Sequence, residues 1–299
     1  MANLDNISFY LSFKDVNPNW PLISISFVNG TIAIFGIIFN LSIIWITVQT
    51  KSFRGTANYP LALCSFFELL HQPGHFLLLY TAFSGQNLIE YRLASKIEFI
   101  PIFGMGGITP TMFFTGIDRL IVIIFNEMHS KFKIRLYLGS MTFASVLYAY
   151  QFIFNMTFFY IFLATCIIYL FVGIVIKFKS AGLHSSETIN HRVFRSLCCI
   201  LTMNVGGYLI TMLYGGLIKP SISSPITAWF WLIISAMPLN FGGASNGPIL
   251  YLTSTEYRRA FQTEFPFVFK RISNQNRTAP QQNVQITRIF PVMNTSSQL

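Results

Sequence analysis

The chain has 299 residues, of which 53% are hydrophobic, 16% aromatic (32 of them Phe) and only 10% charged, against about 25% charged in a soluble domain. So few charges cannot cover a soluble surface. The net charge of +10 does not mark a nucleic-acid binder either, because the basic residues sit between apolar runs too long for globular elements. The composition is that of a multi-span membrane protein.

Residues 1–21 lack a basic start and a continuous apolar core, so they do not read as a signal peptide, and the first span is expected to act as its own targeting signal. Asn6-Ile7-Ser8 is a glycosylation sequon. Apolar runs then follow near 22–48, 58–82, 97–126, 134–154, 155–177, 193–218 and 226–252. The fourth and fifth form one stretch, Leu136 to Ile176, with no Asp, Glu, Lys or Arg. As a single helix it would be about 62 Å long, twice the hydrocarbon core of about 30 Å. Lys131, Lys133 and Arg135 precede it and Lys177 and Lys179 follow. Basic loops stay on the cytoplasmic side, so the chain must cross twice there, turning near Gln151, Asn155 and Thr157. The spans number seven. With the N-terminus outside, 15 of the 20 Lys and Arg fall on the cytoplasmic side, which sets the orientation.

After Leu252, Thr253 and Glu256 have capping-box spacing. Tyr257, Ala260, Phe261 and Phe265 share one face before Pro266, which predicts an amphipathic helix over 253–265 lying on anionic membrane lipid. Residues 266–299 are polar and read as a disordered cytoplasmic tail. The seven-span domain is 22–252, behind an extracellular segment 1–21.

Ionisable groups inside a bilayer usually face the bundle and carry function. Glu68 is the acid of the second span, and His71 and His75 follow on the same face, with Pro73 between them to kink the helix. A His pair at this spacing could hold zinc, but no third ligand is evident. An interhelical hydrogen-bond network is the simpler reading, and no metal or other cofactor is expected. Cys64, Cys166, Cys198 and Cys199 all lie in apolar runs and read as free thiols. Asp118-Arg119 sits near the inner end of the third span, where an opposite-charge pair alone could be a membrane-interface anchor. Asn40 follows Gly36 in the first span, Asn58 opens the second, and Asn246, Pro248 and Tyr251 end the seventh. No enzyme motif survives inspection.

The order of these residues resembles that of the rhodopsin-like G-protein-coupled receptors: Gly36-x-x-x-Asn40, Asn58…Glu68 where the family has Asn…Asp, Gly116-Ile117-Asp118-Arg119-Leu120, and Asn246-Gly247-Pro248-Ile249-Leu250-Tyr251 followed by Glu256-Tyr257-Arg258. More narrowly, His71-Gln72-Pro73-Gly74-His75 and the Gly-Ile-Asp-Arg-Leu form resemble the nematode serpentine receptor class SX (Srsx) chemoreceptors. The resemblance covers residues 25–265. It implies a seven-helix bundle in the plasma membrane that binds an unknown small-molecule or peptide ligand and signals through a heterotrimeric G protein. Arg119 would be held by Asp118 at rest and released when the sixth helix moves, and Tyr251 with Pro248 would form the switch of the seventh. Asn40, Glu68, His71, His75 and Asn246 would make the polar network. Ile108 and Gly247 stand where sodium ligands are usual, which leaves Glu68 as a proton site. The helix-six Trp-x-Pro is replaced by Met203-Asn204-Val205-Gly206-Gly207-Tyr208, with glycines for flexibility. Candidate ligand contacts are Glu98, Pro101, Ile102 and Met105, with His75, Trp229 and Trp231. Pro101 stands where amine receptors carry an aspartate, so a simple amine bound by a salt bridge is not the expected ligand. A small transporter or channel is the alternative, although it would need more intramembrane charge; a receptor-derived chain that no longer signals is a third reading.

Such receptors usually carry a long loop between helices four and five, with a cysteine bonded to one at the outer start of helix three. Ala94 and Ser95 stand at that start. Two spans of about 20 residues use nearly all of the 41 uncharged residues. The expected result is an open outer mouth and no disulfide, unless a stretch of chain is missing between Phe154 and Asn155; transcript sequencing across those codons separates the two. For the chain as it stands, thiol counting under denaturing, non-reducing conditions should return all 4 cysteines, and a lower count overturns the disulfide-free reading.

Overall fold

The computed structural model describes residues 18–50, 53, 58–125, 134–154, 158–180 and 188–267. The sequon at Asn6, the expected turn residues Asn155 and Thr157 and the tail from 268 on lie outside these. Among the described residues there is no strand. Each apolar run becomes a helix because a backbone in lipid must satisfy its own hydrogen bonds. Span one is α1 (Trp20–Gln49); span two is α2 (Tyr59–His71), a one-turn break at Gln72–Gly74 and α3 (His75–Phe83). Spans three to six are α4 (Tyr91–Ile124), α5 (Ile134–Phe154), α6 (Phe158–Ser180) and α7 (Thr188–Leu213). Span seven is α8 (Pro225–Ala244) with α9 (Asn246–Thr253), and α10 (Thr255–Glu264) follows. By its contacts the chain divides after Phe261.

The expected kink at Pro73 is the break in span two. Span three begins earlier than its apolar run implied: Tyr91–Ser95 and Lys96 are polar enough to hide the helix, yet it runs on through them. Its 34 residues make about 51 Å of helix, and most of Tyr91–Ile100 is exposed. This span is the hub, packing on spans two, four and five, while span one joins spans two and seven and span seven packs on six. Arg119 lies at the end of the bundle opposite Trp20, and the two ends are called the Arg119 end and the Trp20 end.

One sequence expectation needs correcting. The amphipathic helix is capped by Ser254, whose Oγ accepts from the Tyr257 N–H at 3.4 Å, while the Thr253 hydroxyl is spent on Ile249 O and Ser196 Oγ. Its apolar residues Tyr257, Ala260 and Phe261 are buried on protein: Tyr257 stacks on Phe53 at 4.6 Å and Phe261 meets Tyr251 edge-on at 6.0 Å. In span six, α7 runs unbroken through Gly206 and Gly207. Gly207 admits the backbone of Pro238 and Leu239 in span seven.

Close backbone approach also joins spans two and three. A Cβ on Gly104 would stand 2.6 Å from Phe67 O and 2.7 Å from His71 N, and a backbone, unlike a side chain, cannot rotate away. Gly139 in span four has nothing within 4 Å. Gly104→Ala should therefore lower the thermal melting temperature of the purified protein, by about 1–3 kcal/mol of stability. Gly139→Ala should raise it, since Ala is the better helix former by about 0.8–1.0 kcal/mol. Equal tolerance at both positions would refute the packing.

Candidate functional site

The middle of the bundle is polar. Asn40 spends both amide protons on carbonyls, that of Gly36 in its own helix at 2.9 Å and that of Gly243 in span seven at 3.0 Å. Its Oδ1 accepts from Asn246 Nδ2 at 3.5 Å. All three of these asparagine contacts are buried. Glu68, also buried, lays its carboxyl on the Cα of Gly243, in space that any side chain there would fill. Pro248 falls in the first turn of α9, where its missing N–H goes unnoticed.

Toward the Trp20 end lies a second polar cluster. The rings of His71 and His75 meet edge-on at 5.2 Å. His71 Nδ1 reaches the Pro101 carbonyl of span three at 3.4 Å, so in the neutral ring Nδ1 carries the proton. Asn240 of span seven stands beside both imidazoles and donates to Asn29 Oδ1 of span one at 2.9 Å. The histidine pair thus meets span three through Pro101 and lies beside Asn240, which links spans seven and one, while Glu68 belongs to the central group. Asn29 and Asn240 were missed in the sequence; each belongs to no motif of its apolar run, and only an intramembrane polar residue as such could have flagged them. Of the other candidate contacts, Pro101 is buried and Glu98, Ile102, Met105 and Trp229 are half-buried. Trp231 is 51% exposed, on the bundle surface.

At the other end Arg119 Nη2 meets Asp118 Oδ2 at 2.6 Å, with the acid fully buried and the arginine side chain 11% exposed. Tyr137, in the first turn of α5, hydrogen-bonds the same carboxylate, a partner no motif announced. Arg119 Nε makes no hydrogen bond among the described residues, so the ion pair is its main restraint. Elsewhere Thr253 Oγ1 donates to Ser196 Oγ at 2.7 Å, tying the end of span seven to span six. Arg258 donates to the carbonyls of Tyr251 and Leu252 at 3.0 and 2.7 Å and lies over the Tyr251 ring. The Tyr257 hydroxyl, pushed above its ordinary pKa by burial, stays a neutral donor to Asn58 Oδ1 at 3.3 Å.

This arrangement can be compared with known proteins. The fold is similar to the crystal structure of squid rhodopsin, with a TM-score of 0.67 over 86% of this chain and 89% of that one, at 16% identity; such a likeness speaks for the fold alone. No curated protein matches the chain. The serpentine type seven-transmembrane G-protein-coupled chemoreceptor family Srsx matches residues 33–158 and 149–265. The chain belongs to the Srsx family. It is a multi-pass membrane receptor of the chemosensory, G-protein-coupled kind, and the family is one of receptors, not enzymes.

The two Srsx matches overlap at residues 149–158, where spans four and five join without a long loop. The four cysteines of this Srsx chain are free in the structure, Cys64 buried and the others half-buried. Within the bundle, Asn40 is the strongest single test of the arrangement. Asn40→Leu keeps the branched shape but strips the Gly243 carbonyl of its donor, and interhelical hydrogen bonds in membranes are worth about 0.6–2 kcal/mol. Thermal melting in lipid nanodiscs should fall accordingly, and a melting temperature equal to the parent's would show that the bond between spans one and seven carries no stability.

Proposed function

We propose that this chemoreceptor sits in the plasma membrane with its Trp20 end outside and its Arg119 end facing the cytoplasm and a heterotrimeric G protein. An extracellular segment 1–21 precedes the seven-span domain 22–252, the helix over 253–265 lies along the inner surface, and 266–299 form a cytoplasmic tail. The basic residues flanking the spans support this orientation. A small-molecule or peptide ligand enters between spans two, three and seven, against His75, Glu98, Pro101, Ile102, Met105 and Trp229.

The observation that carries the reading is the Arg119–Asp118 pair. A buried acid holds one guanidinium nitrogen at 2.6 Å, Tyr137 holds the acid, and the hydroxyl clasp between Ser196 and Thr253 keeps span six against span seven. Together they describe a resting state. When ligand favours the alternative, span six leaves its clasp, Tyr251 turns from under Arg258, and Arg119 exchanges Asp118 for the G protein. The ligand's differential affinity for the two states drives the change. The network of Asn40, Glu68, His71, His75 and Asn246 links the ligand end to this switch, with Glu68 as its proton site.

Arg119→Ala tests the switch in a heterologous cell expressing matched G proteins and challenged with a chemical panel. Surface expression should stay near the parent's while ligand-driven signalling disappears, because couplings of this kind are worth about 5–150-fold. A variant that reaches the surface and signals as well as the parent overturns the assignment.

A further inference from the structure

The Trp20 end of α4 carries an apolar stripe that the bundle leaves bare. Leu93, Ile97 and Ile100 are 49%, 44% and 56% exposed, and their spacing of four and three residues puts them on one helical face. Lipid tails do not account for the first two. The 26 steps from Leu93 to Arg119 make about 39 Å of helix, against about 30 Å of hydrocarbon. With Arg119 at one edge of the core, Leu93 and Ile97 stand past the other edge, among headgroups and water. Arg92 and Lys96, one turn apart on the adjoining face, are also exposed, and among the described residues neither is in an ion pair. The connection 155–157 between α5 and α6 is too short to lie across them.

The chain itself supplies a matching surface. Ile7, Phe9, Leu11 and Phe13 occupy every second position, with Ser8, Tyr10, Ser12 and Lys14 between them. That period is the mark of an extended segment with one face covered, and so short a segment has no core of its own to cover it. It precedes Asn19, which caps α1 at the same end of the bundle as Leu93. Spans one and three both pack on span two, and packed helices lie about 8–10 Å apart, so about 20 Å separates them at most. The 14 residues from Asp5 to Asn19 reach about 50 Å when extended, enough to cross span two and lie along α4. Asp15, four residues from Asn19, stays near span one. The sequon residue Asn6 falls on the same parity as Ser8, so a glycan there points away from the apolar face.

We propose that residues 5–13 dock on the Trp20 end of α4, with Ile7, Phe9, Leu11 and Phe13 against Leu93, Ile97 and Ile100 and Asp5 against Arg92 and Lys96. The chain's own start then covers the mouth that the short connection between spans four and five leaves open. The contact needs neither a ligand nor a G protein, so it stands or falls apart from the switch at the Arg119 end.

Disulfide mapping in the purified full-length receptor tests the contact, with one receptor per lipid nanodisc and mild oxidation by copper–phenanthroline. Bridged peptides are identified by mass spectrometry, so the native cysteines stay in place. Phe9→Cys and Leu11→Cys should each bridge to Ile97→Cys. Tyr10→Cys, one step out of phase and so on the other face, should bridge about tenfold more slowly. Leu93→Cys repeats the measurement in case Ile97→Cys disturbs the helix. Asp5→Lys should slow the bridge from position 9 about two- to fivefold, the size of an exposed ion pair, and adding Arg92→Glu with Lys96→Glu should restore it. Equal bridging from positions 9, 10 and 11 overturns the proposal, because a docked segment has one inward face. Absence of the bridges overturns it too, whether the segment lies on lipid headgroups, seen as quenching of a fluorophore at position 9 by brominated lipid, or on a second copy, seen as bridges between receptors at two per disc.

Discussion

The bundle depends on Asn40 donating one amide to two backbone carbonyls. In lipid no water replaces a missing bond, so the junction of spans one and seven must be satisfied from within. Gly243 makes this possible: with no side chain, it lets the Asn40 amide reach its carbonyl from one side while the Glu68 carboxyl covers its Cα from another. Asn246 then closes the group by donating to Asn40. Three spans meet here through groups that would each be expensive alone. The chain just beyond it can afford to be irregular: span seven breaks at Ser245, whose N–H is shared between the carbonyls of Phe241 and Gly242.

Much of this was legible in the sequence, for different reasons at different places. The seven crossings follow from run length and flanking charge, which act along the chain and need no knowledge of neighbours. Asp118-Arg119, Asn40 and Asn246 stood out because charged or amide groups are rare in apolar helices and because their order is a family's order. Asn29, Asn240, Tyr137 and the Ser196–Thr253 pair did not stand out. Each acts only with a partner on another span, and one sequence gives no register between spans. Thr253 illustrates the difference: its spacing to Glu256 fits a cap, but a serine hydroxyl from span six competes for it, and Ser254 takes the capping role. The apolar stripe of the terminal helix was visible; that Phe53, Asn58 and Tyr251 would cover it was not.

The two polar clusters divide the work by depth. The central one is bonded mainly to backbone, with the buried Asn246 Oδ1 left without a hydrogen-bond partner among the described residues. The one toward the Trp20 end lies around the break at Gln72–Gly74, and the Gln72 amide and His75 Nε2 are unpaired there in the same sense. Packed helices on either side of both clusters are close enough to transmit a displacement along the bundle.

The brief connection between α5 and α6 has a mechanical consequence. Only residues 155–157 separate Phe154 from Phe158, and four Cα steps reach at most about 14 Å. Spans four and five are leashed at that end and cannot slide past one another there by more than a few side-chain widths. Any displacement of span five must then be a swing about the leash, small near the knot and growing with distance along the helix. A rod pinned at one end acts as a lever, and its free end here is the Arg119 end.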